Sequence, residues 1–234
     1  LKLAGGDDRL ERGMGRLYAS FSDAPVLGSL INPRADEGDL VVAAFHELQP
    51  LLEKALTQET GDDTVHELAV TARGVARAAE ILAGRFTLVA TNVPYLGRGK
   101  QDDILQSFCE RNHPDSAADL ATCFVERSLD FCGESGTSAL VTPQNWLFLK
   151  TYKQLRKSLL EDVEWNVVAR LGSGAFATIG GEVVNVVLLV HSKVKPSSNF
   201  ELTAIDASEP RNPEEKSSAL LLGPTLRPSQ AAQR

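Results

Sequence analysis

Four consecutive residues, Asn92, Val93, Pro94 and Tyr95, place an amide, a rigid backbone and an aromatic ring directly after the apolar run of residues 86–90. Such a run is typical of a buried strand, so the four residues are expected at the mouth of that strand. An amide beside an aromatic ring at this position predicts a pocket for a flat group that carries an amine.

The chemistry of a conjugated amine explains why these residue types belong together. Methylation of an exocyclic NH2 group requires its lone pair to leave conjugation, and two acceptors beside the two N–H groups favour this. The Asn92 side-chain oxygen can be one acceptor and the Val93 carbonyl the other. Pro94 has its own φ fixed at about −65° and biases Val93 to an extended conformation. The Tyr95 ring can stack on a base, which is worth roughly 1–3 kcal/mol.

The tetrapeptide Asn-Val-Pro-Tyr resembles the hallmark (Asn/Asp)-Pro-Pro-(Tyr/Phe/Trp) of the amino methyltransferases that use S-adenosylmethionine. Val93 replaces the first proline. The family uses a main-chain carbonyl at this position, so the replacement weakens the match only modestly. A plain turn is the alternative interpretation of Asn92 and Pro94.

Downstream, the chain alternates between helical and strand patterns. Apolar residues at helical spacing predict a helix over 116–132 and a second helix in which Phe148, Tyr152, Leu155 and Leu159 share one face. Apolar runs predict strands over 137–141, 164–169 and 182–190. This alternation predicts an α/β fold with a mostly parallel sheet and flanking helices.

The order of these segments resembles that of the DNA adenine-N6 methyltransferases of large restriction-modification and phage-defence systems, over roughly residues 15–195. The resemblance implies a partial Rossmann-like methyltransferase fold. It also implies S-adenosylmethionine as cofactor, double-stranded DNA as substrate, restriction or defence subunits as partners, and a flipped adenine beside Tyr95. An aromatic of that family contacts the adenine near Phe176, which lies in a glycine-rich loop. Alternatively, Phe176 simply plugs the edge of the sheet.

Two basic clusters stand out in a chain whose net charge is −7. Arg98 and Lys100 follow the tetrapeptide and are predicted to contact the phosphates that flank the extruded base. The cluster from Lys150 to Lys157 is predicted to be a solvated helix face. The overall negative charge is unusual for a nucleic-acid-binding protein, although acidic stretches can lie away from the site.

The cofactor-binding residues are not assigned by the sequence. The turn Gly172-Ser173-Gly174 follows a strand, but Arg170-Leu171 stands where an acid is expected and the following run is strand-like. Gly28-Ser29-Leu30-Ile31 resembles a strand-end segment of the family without its carboxylate. The family order places the cofactor loop upstream of Leu1, so the chain is expected to be a fragment that is inactive alone.

Composition sets the remaining expectations. The predicted organisation is a partial N-terminal part of the methyltransferase domain (1–40), a helical insertion (41–84, with helices over 41–56 and 65–83), the catalytic part (85–195) and a linker or loose tail (196–234). No apolar run is long enough for a membrane span. The three cysteines and four histidines show no metal spacing, which predicts buried, reduced thiols in a cytoplasmic protein without metal.

Two other functions fit the same residues. The tetrapeptide chemistry also suits methylation of a protein glutamine or an RNA base. A protein that kept the fold but lost catalysis would be a DNA-binding scaffold. The recognition sequence, an attached nuclease and the oligomeric state are not encoded in any motif of the sequence.

Overall fold

A computed structural model describes residues 15, 18–19, 21–34, 63–175 and 184–233 of the chain, with the backbone alone for residues 63–69 and 72. It divides into two compact units, Leu1–Gly84 and Arg85–Arg234. The predicted helix over 41–56 lies outside the described residues.

The first unit contains a short helix α1 (Ala24–Leu27), which continues into a 3-10 turn (Gly28–Leu30), and a long helix α2 (Asp63–Ala83). The helix predicted over 65–83 is therefore confirmed. The Arg34 guanidinium donates a hydrogen bond to the Ala83 carbonyl at the end of α2. This contact ties the segment after the 3-10 turn to the last turn of α2.

The second unit is a six-stranded sheet with flanking helices. Its strands are β1 (Phe86–Asn92), β2 (Cys132–Pro143), β3 (Glu164–Gly172), β4 (Val186–Ser192), β5 (Thr203–Asp206) and β6 (Thr225–Leu226). Its helices are α3 (Asp103–Asn112), α4 (Leu120–Phe131), α5 (Lys153–Asp162) and α6 (Pro213–Leu222). The predicted α/β fold is confirmed.

The strand order is β1-β2-β4-β3-β5-β6. The pairs β1/β2 and β3/β5 are parallel, whereas β4 is antiparallel to both of its neighbours and β6 is antiparallel to β5. Four of the six strands therefore run in one direction. Their carboxyl ends meet at one edge of the sheet, which we call the carboxyl edge; the opposite one is the amino edge.

Strand β4 is the most apolar strand and lies inside the sheet, between β2 and β3. Val186, Val187 and Leu189 are almost completely buried. A strand covered on both faces needs such a continuous apolar sequence, which explains why the run ending at Val190 does not alternate.

Strand β2 begins with an irregularity that requires a glycine. Phe86 of β1 pairs with Cys132, but the next pair is Leu88 with Thr137. A Cβ atom at Gly136 would lie 2.8 Å from the Phe86 carbonyl oxygen, closer than side chains tolerate. The glycine-rich break predicted before residue 137 is thus an irregular start of the strand.

One face of the sheet packs on α4 and α5 through a core centred on Trp146, which is fully buried and donates a hydrogen bond of 3.1 Å from Nε1 to Thr142 Oγ1. Ser138, His191 and Trp165 lie side by side on this face, on the neighbouring strands β2, β4 and β3. Ser138 pairs with His191, and His191 pairs with Trp165, whose ring centroid lies 4.7 Å from the imidazole. Among the described residues, Ser138 Oγ, both His191 nitrogens and Trp165 Nε1 are buried without a hydrogen-bond partner.

Two segments differ from the sequence predictions. Residues 196–234, predicted as a linker or loose tail, contribute β5, α6 and β6, because Leu202 and Ala207 are buried and Gln230 bonds to the Leu160 and Val163 carbonyls. The helix predicted to begin near Phe148 begins at Lys153, after two 3-10 turns. Phe148 itself is 61% exposed.

Candidate active site

Asn92 is the last residue of β1 and lies at the carboxyl edge, where its side chain is exposed. Its neighbour across the parallel pair is Val141 of β2. The tetrapeptide therefore follows a strand, as predicted. The prediction that this strand is buried is wrong, because six of the seven residues of β1 are exposed in the described structure. Strand β1 has β2 as its only partner within the described sheet.

Val93 continues the strand pairing by one residue beyond β1. Its N–H donates to the Val141 carbonyl at 3.4 Å, the long end of the hydrogen-bond range. Its side chain is buried in the core cluster with Leu140 and Trp146. Its carbonyl accepts no hydrogen bond from any residue that the structure describes. This carbonyl is thus available as an acceptor at the strand end.

The Tyr95 side chain points back towards Asn92, at the end of β1. Its hydroxyl donates to Asn92 Oδ1 at 3.3 Å, and its ring packs against the core cluster. Burial, and secondarily the negative charge of Asp119, raise the pKa of the Tyr95 phenol. The hydroxyl therefore remains protonated at neutral pH and keeps its role as a donor to Asn92.

Asp119 clamps the loop that follows Tyr95. Its Oδ1 accepts hydrogen bonds from the Ala121 N–H at 2.9 Å, as the N-cap of α4, and from the Leu96 N–H at 3.4 Å. The Leu96 carbonyl in turn accepts from the Leu120 N–H at 3.0 Å. One carboxylate therefore connects the start of a buried helix to the residue after the tetrapeptide.

The basic residues after the tetrapeptide lie on the same loop. The Arg98 N–H donates to the Ala118 carbonyl at 3.0 Å, and its guanidinium forms a half-exposed ion pair with Glu110 of α3. Lys100 is exposed. A phosphate at Arg98 would have to share this guanidinium with Glu110.

The turn at Gly172 and Gly174 has a structural reason for its glycines. Both have positive φ values, +62° and +71°. A Cβ atom at Gly172 would lie 3.0 Å from the Ser208 Cβ, and one at Gly174 would lie 2.5 Å from the Arg211 carbonyl oxygen. The segment after β5 therefore packs against this turn, and the turn does not fit a cofactor cradle.

Phe176 lies outside the described residues, so its predicted contact with the base is not visible. The two ends of its loop are described. The loop leaves β3 after Gly172 and enters β4 at Val186, and both residues lie at the carboxyl edge with Pro143 of β2. This is the edge that carries Asn92.

A comparison with known families matches residues 38–176 to the Eco57I restriction-modification methylase model. The match covers more than half of the 234 residues. The chain belongs to the Eco57I restriction-modification methylase family. All four residues of the tetrapeptide and the loop clamped by Asp119 lie inside the matched range.

Two curated proteins to which the chain is similar are adenine-specific methyltransferases. It is 37% identical over 170 residues to BrxX of Escherichia coli O9:H4 (strain HS), a match that covers 72% of this chain and 14% of BrxX. It is 35% identical over 142 residues to PglX of Lacticaseibacillus casei (strain Zhang), covering 60% of this chain and 11% of PglX. The chain thus spans about one seventh or less of these relatives.

A solved structure with a similar fold is a nuclease-deletion mutant of the Type ISP restriction-modification enzyme LlaGI in complex with a DNA substrate mimic. The TM-score is 0.49 at 16% identity, and the alignment covers 78% of this chain and 18% of that chain.

Two arrangements of side chains were not predicted from the sequence. Asp119 before an apolar helix is a recognisable N-cap signal, but its bond to Leu96 depends on tertiary structure. The Cys123 thiol of α4 donates to the Ser116 carbonyl at 3.5 Å, and the neighbouring Cys109 thiol of α3, together with burial, raises the pKa of Cys123. All three cysteines are free and buried, as predicted.

The described residues include neither a metal-binding cluster nor a helix that could span a membrane. No group of three or more His, Cys, Asp or Glu side chains among the described residues is arranged to hold a metal ion. None of the described helices combines the length and the hydropathy that a membrane crossing requires.

Proposed function

We propose that this chain carries the amine-binding part of a DNA adenine-N6 methyltransferase that acts in the cytoplasm within a restriction-modification or phage-defence system. The observation that carries the proposal is the pair of acceptors on consecutive residues, Asn92 Oδ1 and the Val93 carbonyl, at the end of β1. The adenine-specific activity of the relatives BrxX and PglX supports the same substrate.

The acceptors suit an exocyclic amine that must attack through its lone pair. An amide oxygen has two lone pairs, so Asn92 Oδ1 can keep the Tyr95 hydroxyl and accept one N–H of the amine. The Val93 carbonyl takes the other N–H. Both bonds draw the nitrogen lone pair out of conjugation with the ring, and the proton leaves after methyl transfer, so no general base is needed.

The target adenine reaches these acceptors only when it is out of the helical stack. The Tyr95 ring then stacks on one face of the base. We assign the opposite face to Phe176, because the two described ends of its loop, at Gly172 and Val186, lie at the carboxyl edge that carries Asn92. Arg98 and Lys100 are assigned to the phosphates beside the flipped base.

S-adenosylmethionine, when bound, supplies the methyl group as an electrophile on its sulfonium. The described residues include no glycine turn that fits this cofactor, so we assign none of them to it. The proposed role of the chain is to bind, orient and activate the amine. Subunits of a restriction or defence system are the proposed protein partners.

The test measures methyl transfer by the native protein that carries this chain, with radiolabelled S-adenosylmethionine and double-stranded DNA, RNA or protein as acceptors. We expect N6-methyladenine in DNA, and a loss of about 100- to 1000-fold in kcat for Asn92→Ala. Asn199→Ala is the matched control, because Asn199 is also exposed and its Oδ1 also accepts a hydroxyl bond, from Ser197 at 3.0 Å, but at the amino edge.

Each contrary result favours a different function. Methylation of RNA or protein without methylation of DNA would replace the proposed substrate. DNA binding without cofactor binding or methyl transfer would indicate a scaffold. Normal transfer by Asn92→Ala would refute the assignment of the acceptor.

A further inference from the structure

Phe148 is an aromatic residue that the fold leaves in solvent. It lies between two buried aromatics of the same segment, Trp146 at 0% and Tyr152 at 4% exposure, yet 61% of Phe148 is accessible. The 3-10 turn Asn145–Leu147 ends just before it, and α5 begins after it at Lys153. Because the segment follows β2, the strand adjacent to that of Asn92, Phe148 lies beyond the carboxyl edge of the sheet.

Two arginines fix this exposed position. The Arg156 guanidinium donates hydrogen bonds of 2.6 Å to the Trp146 carbonyl and 2.7 Å to the Leu149 carbonyl, which bracket Phe148 in the chain. The Arg170 guanidinium carbon lies 5.7 Å from the Phe148 ring centroid. Arg170 is itself held by an ion pair of 3.2 Å with Asp206. The ring is therefore supported by the fold, since ordered contacts hold both the loop and one side of the ring.

The charge of the sequence that follows the ring is opposite to that of the whole chain. Between Phe148 and Leu160 the sequence has four cations, Lys150, Lys153, Arg156 and Lys157, and no acidic residue, whereas the net charge of the protein is −7. The three lysines are exposed. An exposed aromatic ring followed in the chain by exposed lysines suits a polyanion with flat bases, because the ring can stack on a base while the lysines neutralise phosphates.

We propose that Phe148 is a stacking surface for a DNA base, with Lys150 and Lys153 contacting the adjoining phosphates. This inference rests on the proposed function, because it names a second DNA-contacting surface at the edge that carries Asn92. It replaces the sequence prediction of a purely solvated helix face for Lys150 to Lys157. The positive charge favours DNA over a protein partner, for which an exposed apolar anchor alone would be enough.

The test is the binding of a fluorescein-labelled DNA duplex and its single strand, both of mixed sequence, to the full 234-residue chain, measured by fluorescence anisotropy over a series of salt concentrations. Phe148→Ala is expected to weaken binding by about 5- to 100-fold, the loss of one stacked base. Phe148→Trp keeps a ring and is expected to bind as tightly as the unsubstituted chain. Circular dichroism of each variant verifies the fold.

The lysines are tested through salt dependence. The double variant Lys150→Ala/Lys153→Ala is expected to lower the slope of log K against log salt by about 1 to 2, since each phosphate contact contributes roughly 0.9. Lys195→Ala removes one exposed lysine from the amino edge and is expected to leave binding unchanged. This control separates local contact from the loss of charge in general.

Three outcomes decide the inference. Unchanged DNA binding by both Phe148→Ala and the double lysine variant overturns it and leaves the proposed function standing, with a protein partner as the remaining role for the ring. Equal weakening by Lys195→Ala and the double lysine variant overturns the local contact. Absence of DNA binding by the unsubstituted chain refutes this inference. If the native protein that carries the chain also fails to bind DNA, the proposed function is refuted too.

Discussion

The Tyr95 hydroxyl donates its hydrogen bond to Asn92 Oδ1, the oxygen that we assign to the target amine. The two residues are three positions apart in the chain, with Val93 and Pro94 between them. Tyr95 therefore has two separable roles, orientation of the Asn92 amide through its hydroxyl and stacking through its ring.

These roles are separated by two substitutions. Tyr95→Phe removes only the hydrogen bond and is expected to lower kcat by about 5- to 10-fold, the equivalent of roughly 1 kcal/mol, with KM nearly unchanged. Tyr95→Ala also removes the ring and is expected to raise KM for DNA. Steady-state methyl-transfer kinetics of the native protein measure both. Equal kinetics for the two variants would contradict a separate role for the ring.

Asp119 is expected to act as a positioning residue through the loop at Leu96. Asp119→Ala removes the N-cap of α4, which is expected to lower the unfolding free energy by about 1 kcal/mol. The substitution also releases the Leu96 N–H. We expect this release to displace the tetrapeptide and to lower kcat by about 10-fold. Asp119→Asn keeps a side-chain oxygen as acceptor, so this variant is expected to retain most of the stability and most of the kcat. Urea unfolding and methyl-transfer assays measure the two effects.

Asn212→Ala is the matched control for Asp119→Ala. Asn212 caps α6 through a hydrogen bond of 2.9 Å from the Glu215 N–H, far along the sheet from β1. We expect a similar loss of stability and no loss of kcat. If both cap variants reduce activity in proportion to stability, Asp119 has only a structural role.

His191 is expected to make the fold sensitive to acid. Complete burial lowers the pKa of its imidazole from 6.5 to about 4. The unfolded chain therefore binds a proton before the folded chain does. The contribution of neutral His191 to stability is complete above pH 6.5 and decreases as the pH falls from 6.5 towards 4, by roughly 3 kcal/mol in total.

The measurement is urea unfolding at several pH values for the unsubstituted chain and for His191→Phe, which keeps a ring against Trp165. We expect the variant to lose less stability between pH 6.5 and 4, whatever its stability at neutral pH. Parallel pH profiles of the two proteins would show that folding does not lower the pKa of His191.

Val93→Pro restores the family tetrapeptide at the cost of one hydrogen bond. The Val93 N–H bond to Val141 is long, so its loss is expected to reduce the unfolding free energy by about 1 kcal/mol or less. The carbonyl is retained, so kcat is expected to stay within about 3-fold, equivalent to less than 1 kcal/mol. Thermal unfolding and methyl-transfer assays test this. A large loss of kcat would mean that the Val93 N–H or side chain orients the site.

The elements that the sequence predicts well are those with local signals. The apolar run before Asn92 and the proline at position 94 are enough to place the tetrapeptide at a strand end, and the continuous apolar run ending at Val190 is enough to predict a buried strand. The antiparallel insertion of β4 between β2 and β3 is a long-range pairing that no local pattern encodes.

The sequence predictions are wrong where tertiary contacts override the local pattern of apolar and polar residues. Phe148 has helical spacing with Tyr152 and Leu155, yet the bonds of Arg156 to two carbonyls hold it outside the helix. The polar composition after residue 207 conceals a few buried groups, such as Lys216, which donates to the Leu171 and Ala207 carbonyls. Buried polar contacts of this kind depend on partners far away in sequence.

The hydrogen bond from the Val93 N–H to Val141 has a consequence for how such sites evolve. At this position a carbonyl is the functional group, so proline is one solution among several, and a residue with an N–H gains a strand contact in exchange. The site can therefore drift away from its two-proline signature without losing its acceptor. Members of the family with valine or other residues between Asn and Pro are expected to be active enzymes, and a pattern that requires both prolines would overlook them.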